Sequence, residues 1–124
     1  MSGLNRVILA GRLTADPVVR YTDKETPVAH FSMAINWKSK NTKGVDFINC
    51  VAWNGLAKIS GEYLKKGQLV AVEGKLKISS YEDKKGQKKT STEVILDNLQ
   101  MLDSKFYKEA SKTAKKEEPE LLEI

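Results

Sequence analysis

The 124-residue sequence predicts an all-β domain: a five-stranded barrel with one short helix between the third and fourth main strands. Two observations support this. Short segments rich in Val, Ile and Leu alternate between apolar and polar positions, which is the period of a strand. Between Leu56 and Leu64 the apolar spacing changes to that of a helix, and the alternation then returns.

The first half of the chain contains three main strand segments. Residues 4–13 (LNRVILAGRL) are rich in branched apolar residues, and Gly11 suits a bulge or a tight bend. After Asp16-Pro17, residues 18–21 form a short extended piece. Residues 28–36 and 46–53 are the second and third main strands, joined by the polar hairpin loop KSKNTKG.

The second half contains the helix and two further strands. Four apolar residues share one helical face: Leu56, Ile59, Tyr63 and Leu64. Gly67, after two lysines, is typical of a helix C-terminus. Residues 68–81 and 90–102 alternate again around a charged turn. Many short strands are also compatible with a β-sandwich, but a single helix in this place favours the OB-fold barrel.

Charge divides the chain into a basic body and a C-terminal tail. Residues 1–103 carry 16 Lys/Arg against 11 Asp/Glu, whereas residues 104–124 carry five of each, so the body holds the whole net charge of +5. We expect an OB-fold domain over residues 1–103 and a short spacer with an acidic tail over residues 104–124. A basic body indicates nucleic acid, although a high pI also simply favours solubility.

Several functional classes lack sequence support. There is no long apolar run, and the start does not have the layout of a signal peptide, so we expect no membrane association. One cysteine, Cys50, and one histidine, His30, do not make a zinc ligand set, and we expect neither metal nor other cofactor. A lone cysteine without an export signal suggests the reducing cytoplasm.

The segment DFINCVAWN (46–54) places large rings on what should be the outside of the sheet. Alternation puts Ile48, Cys50 and Ala52 on one face, which suits a core. The other face carries four residues: Phe47, Asn49, Val51 and Trp53. Outward rings either stack on nucleobases or pack under a loop or a neighbouring subunit.

Residues 70–81 show the same division into two faces. The expected core face is formed by Val70, Val72, Gly74, Leu76 and Ile78. The opposite face carries Lys75, Lys77 and Tyr81. Rings stack on any base, and lysines neutralise phosphates, so this combination favours single-stranded nucleic acid, whose base faces are open.

Five segments in the same order and spacing carry a resemblance to the bacterial single-stranded DNA-binding proteins. They are LNRVILAGRLTADPVVRYT, VAHFSMAIN, DFINCVAWN, EYLKKGQLVAVEGKLK and TEVILDNLQML, spanning Leu4 to Leu102. The resemblance implies an OB fold, a homotetramer, and non-catalytic coating of single-stranded DNA in replication, recombination and repair. It also implies a cytoplasmic, nucleoid-associated protein.

The resemblance implies roles for individual residues. The base-stacking rings fall on Phe47, Trp53 and Tyr81, and a further one lies near Trp37. Trp37, however, lies on the same face of its strand as the core candidates Phe31, Met33 and Ile35. It therefore needs a twist or a bulge in the strand to face DNA. The implied backbone contacts are Arg6, Arg20, Lys40, Lys66, Lys75 and Lys77. Ser79, Ser80, Asn54 and Gly55 stand where some relatives have basic residues, which suggests weaker phosphate contact.

The family's tails dock replication and repair enzymes through an acidic stretch with an apolar tip. The matching residues here are Glu117, Glu118, Glu120, Leu121, Leu122, Glu123 and Ile124. The family's aspartate run and terminal Pro-Phe are missing, so an ordinary frayed terminus is the alternative. Two other functions stay open: a primosome-type OB-fold adaptor that recruits proteins, and a small metal-dependent nuclease.

Overall fold

The computed structural model describes residues 3–102, which form six strands and one helix. In chain order the elements are β1 (Val7–Leu13), β2 (Val18–Tyr21), β3 (Pro27–Lys38), β4 (Lys43–Trp53), α1 (Gly55–Tyr63), β5 (Leu69–Glu82) and β6 (Lys88–Met101). The predicted all-β class and the place of the helix are confirmed. The β3–β4 loop is shorter than predicted, because both strands extend into it.

Five of the strands close into a barrel. The strand order is β1-β5-β6-β4-β3-β2, and β1 also pairs with β3 at Arg12 and Leu13, which completes the ring. β2 follows β1 in the chain and pairs with the same edge of β3, next to the two residues that pair with β1. This pairing runs from Val18 opposite His30 to Tyr21 opposite Pro27. The short extended piece is therefore an addition to the five-stranded barrel.

The barrel interior holds the core that alternation predicts. The buried cluster is formed by Leu13, Ala29, Phe31, Met33, Cys50, Ala52, Ala57, Leu64, Val70, Val72, Val94 and Leu96. Every main strand and the helix contribute to it, so the hydrophobic effect favours the closed barrel over an open sheet. The described residues include no helix that is long and apolar enough to cross a bilayer.

Two glycines allow the backbones to approach closely where the barrel bends. A Cβ at Gly11 would collide with the carbonyl oxygen of Ala34, and one at Gly74 would collide with that of Ile95. The β5–β6 register also shifts beside Gly74, because Asp97 has no partner between Leu96 and Asn98. A bulge of this kind bends the strand that carries it, which here is β6.

The predicted core face of β5 is wrong at its far end. Leu76 is 39% exposed and Ile78 is 62% exposed. β4 and β6 pair only over residues 49–51 and 93–95, and beyond that point the β3–β4 and β5–β6 hairpins continue as two arms. Leu76 lies at the end of the β4–β6 pairing, and Ile78 lies beyond it. No strand on the opposite side of the barrel covers these two side chains.

The helix also ends earlier than predicted. α1 follows Asn54, which has a positive φ of 53°, and it ends at Tyr63. Leu64 is already extended, and its side chain enters the core. Gly67 lies in the turn before β5 with φ 87°, and its N–H donates to the Leu13 carbonyl at 2.8 Å. The glycine therefore serves the turn and not the helix end.

Candidate nucleic-acid interface

Strand pairing builds rows of side chains across the outside of the barrel. Residues that pair in register carry their side chains on the same face of the sheet. The outer rows are Arg20–Val28–Trp53, Val18–His30–Val51–Ile95–Lys75, Ser32–Asn49–Glu93–Lys77, Ala34–Phe47, Ser79–Ser91 and Tyr81–Lys89. We call this surface the outer face.

The two rings of β4 lie on the outer face and are open to solvent. Phe47 is 68% exposed and Trp53 is 43% exposed. Val51 shares their face but is only 3% exposed, because His30 and Ile95 flank it in the neighbouring strands. The prediction that β4 turns its rings outward is confirmed, but Val51 is a buried spacer between them.

Tyr81 lies on the same face of β5, near the tip of the β5–β6 arm. Its side chain is 54% exposed, and its register partner in β6 is Lys89. A ring beside a cation suits a stacked base with its phosphate next to it. Lys89 is not among the contacts that the sequence predicts. Alternation within β6 does not show which residue of β5 lies opposite Lys89, and only the β5–β6 register shows that it is Tyr81.

Three of the predicted cations lie in rows of the outer face. Lys75 is opposite Ile95, and Lys77 is opposite Glu93. Arg20 lies in the same row as Trp53, with Val28 between them. The structure therefore brings these three cations onto the same surface as the rings.

Three other predicted contacts lie elsewhere. Arg6 precedes β1, and its guanidinium donates to the carboxylate of Glu73 in an ion pair. Lys66 lies at the turn before β5, where its backbone N–H donates to Asp16 Oδ1 at 2.8 Å. Lys40 lies in the β3–β4 loop. Of these three, only Arg6 has its charge engaged by a carboxylate within residues 3–102.

Trp37 lies on the other face of the β3–β4 arm. The β3–β4 register continues without a shift to Lys38 opposite Lys43, so Trp37 keeps the face of Met33 and Ile35. Its ring is 43% exposed and lies over Gly44, where a Cβ would collide with it. The structure does not group Trp37 with the rings of the outer face.

Cys50 lies on β4 with its side chain in the barrel core, on the opposite side of the strand from Phe47 and Trp53. Burial raises the pKa of the Cys50 thiol to about 12, which makes it an inert core group. Within residues 3–102 no group of three or more His, Cys, Asp and Glu side chains is placed to hold a metal ion. The tail residues Glu117 to Ile124 lie outside the described residues.

Comparison with known proteins identifies relatives of the whole described region. The single-strand binding protein family matches residues 4–102. The single-stranded DNA-binding protein of Streptococcus pyogenes serotype M1 is 41% identical over 113 residues, covering 89% of this chain and 69% of that protein. That of Halalkalibacterium halodurans is 44% identical over 103 residues, covering 81% of this chain and 61% of that protein.

A solved structure has the same fold. The structure described as Plasmodium falciparum SSB complex with ssDNA superposes with a TM-score of 0.77 at 28% identity, covering 83% of this chain and 98% of that chain. This shared fold agrees with the five-stranded barrel. The chain belongs to the single-strand binding protein family.

Proposed function

We propose that this protein binds and protects single-stranded DNA, with little dependence on sequence, during replication, recombination and repair. The observation that carries the proposal is the outer face, where Phe47, Trp53 and Tyr81 are exposed beside Lys75 and Lys77. Each ring stacks on a base, and each lysine neutralises a phosphate. Base pairing hides the base faces of duplex DNA, so this surface selects single strands.

The spacing of the rings suits an extended strand of DNA. Phe47 and Trp53 are six residues apart on β4, or about 20 Å at 3.3 Å per residue. Buried Val51 and exposed Asn49 lie between them. A strand that crosses this face meets one ring at each end and a polar middle, and Tyr81 extends the path along the β5–β6 arm.

The protein acts by binding and not by catalysis. Titration with oligo-dT, followed by Trp fluorescence, tests this together with incubation of labelled single strands with Mg²⁺. We expect strong quenching and intact strands. Cleavage that depends on Mg²⁺ would instead support the nuclease. Weak binding, with recruitment of replication proteins retained, would support the primosome-type adaptor.

We also propose that the chain assembles as a homotetramer. Among residues 3–102, the edge of β1 that faces away from β5 is paired only at Arg12 and Leu13, where it meets β3. Leu4 and Ile8 are exposed beside this open edge, and burying them favours self-association. Light scattering after size exclusion measures the mass, and a monomer at working concentration would contradict the proposal.

The tail completes the proposal. Residues 1–103 form the DNA-binding unit, and residues 104–124 form a spacer that ends in the acidic, apolar segment 117–124. This segment docks replication and repair enzymes, and it competes weakly with DNA for the lysines of the body. We place the protein in the cytoplasm, on the DNA of the nucleoid.

A further inference from the structure

His30 lies on the outer face beside the gap between the two rings of β4. It pairs with Val51, which is two residues from Trp53 and four residues from Phe47 along the strand. Opposite residues of an antiparallel pair have their Cβ atoms about 4.5–5.5 Å apart, so the imidazole stands next to the middle of the gap. A strand of DNA that stacks on both rings therefore passes His30.

His30 is the exposed residue among those that β3 places in the rows of the outer face. The other three are buried or half-buried: Val28, Ser32 and Ala34. Its neighbours in its own row are Val18 of β2 and Val51 of β4, whose side chains carry no polar group. Within residues 3–102 the imidazole makes no hydrogen bond and no ion pair. Its two nitrogens therefore face solvent, where a bound strand can meet them.

His30 is also the residue that can become a cation on the β3 side of the gap. Lys75 and Lys77 lie on the other side, on β5, with β6 between them and β4. A DNA strand carries one phosphate per about 3.4 Å in the duplex, and even at twice that spacing several phosphates cross the roughly 20 Å between the rings. Cations on both sides of the gap hold this stretch of backbone better than lysines on one side alone.

The charged groups around His30 nearly balance. Asp16 and Glu93 line the same cavity as the imidazole, which has a volume of about 390 Å³. Arg20 lies in the next row on β2, and Lys75 lies in the row of His30 on β5. Between its two rings, β4 carries no titratable side chain on this face. With two carboxylates against two cations, the phosphates of a bound strand add the deciding charge, and they favour the protonated imidazole.

We infer that His30 is a further phosphate contact of the outer face, and that its protonation tightens the binding of single-stranded DNA as the pH falls from about 8 to about 6. Histidine is the side chain whose charge ordinarily changes in this range, and His30 is the only histidine in the chain. An imidazolium donates a charge-assisted hydrogen bond to a phosphate oxygen. Such a contact reads no base, so binding stays tolerant of sequence. The inference rests on the proposed function.

The test measures the affinity of the wild type for oligo-dT at about pH 6 and about pH 8, each at several salt concentrations. One more neutralised phosphate steepens the fall of log affinity with log salt by roughly 0.7 when the imidazole is fully protonated. We therefore expect a steeper slope at the lower pH. At low salt the affinity should be roughly two- to fivefold higher there, which is the range of an exposed ion pair.

Two substitutions fix the charge of this position. His30→Gln keeps a polar side chain that never gains a proton, so its slope and its affinity should be the same at both pH values. His30→Lys carries a charge at both, so it should show the steep slope at both. A role of His30 in packing alone predicts no such pair of opposite results.

The control is Tyr63→His in the His30→Gln background. Tyr63 is 55% exposed, but it lies on α1 and not on the outer face, so the double variant carries an exposed histidine away from the proposed path of the DNA. We expect its salt slope to be the same at both pH values. A slope that again depends on pH would show that any surface histidine suffices, which would contradict a contact at His30.

The remaining outcomes separate this inference from its alternatives. Equal salt slopes of the wild type at the two pH values would overturn it, even if the free energy of unfolding without DNA changes with pH, because the imidazolium would then only pair with Asp16 or Glu93. A slope that still depends on pH in His30→Gln would assign the effect to another group. If the wild type binds no oligo-dT at either pH, the proposed function is wrong, and the inference with it.

Discussion

Phe47 and Trp53 lie on one face of β4, six residues apart, and both rings are exposed while Val51 between them is buried. Phe47→Ala, Trp53→Ala and Tyr81→Ala should each weaken oligo-dT binding by roughly 1–3 kcal/mol, because each removes one stacked base. Fluorescence anisotropy with a labelled oligonucleotide measures the change in affinity.

Tyr63→Ala is the matched control for the stacking variants. Tyr63 is 55% exposed, close to the 54% of Tyr81, but it lies on α1 and not on the outer face. We expect its loss to leave the affinity unchanged. If the three outer-face variants stay folded and bind as tightly as the wild type, the bases stack elsewhere.

The cations of the outer face should set the salt dependence. The logarithm of the affinity should fall with the logarithm of salt concentration by roughly 0.7 per phosphate neutralised, so Lys75→Gln and Lys77→Gln should each lower the slope by about that amount. Lys58→Gln, on α1, is the control and should leave the slope as it is. If the affinity of the wild type for DNA does not change with salt concentration, the primosome-type adaptor is favoured instead.

The two tryptophans distinguish the faces of the β3–β4 arm. Trp53 lies on the outer face, whereas Trp37 lies over Gly44 on the other one. We expect Trp53→Phe to remove most of the fluorescence quenching by oligo-dT, and Trp37→Phe to remove less. Equal losses would mean that Trp37 also stacks on a base, as the resemblance to the family implies.

Cys50 should be inert in the folded protein. Its pKa rises from 9.0 to about 12 because burial disfavours the thiolate. Because the pKa of Cys50 is higher in the folded than in the unfolded chain, its contribution to the free energy of unfolding is constant below about pH 9. This contribution is lost as the pH rises towards 12. We expect a disulfide reagent at pH 8 to label the native protein roughly a hundredfold more slowly than the unfolded chain. Comparable rates would show an accessible thiol.

Deletion of residues 117–124 tests the tail. Four carboxylates next to a body of charge +5 should compete weakly with DNA, so the truncated chain should bind slightly tighter at low salt. The truncated chain should still form the tetramer, and pull-down of replication and repair enzymes should be lost. Impaired folding or assembly would instead identify the segment as a packed structural element.

The sequence by itself determined which residues share a strand face. Side chains alternate along any extended chain, so an even spacing puts Phe47 and Trp53 on the same side, and Cys50 and Ala52 on the other. The helix was equally visible, because its apolar spacing differs from that of a strand. These are local properties, and they required no knowledge of the neighbouring strands.

The tertiary structure alone decided where each face ends and what lies beside it. Leu76 keeps the core parity of β5 but is exposed, because the barrel ends where β4 and β6 separate. Arg6 meets Glu73, and Asn49 meets Glu93, only through pairings between segments far apart in the chain. Such registers depend on long-range packing and on the bulge at Asp97, which no period within a single strand encodes.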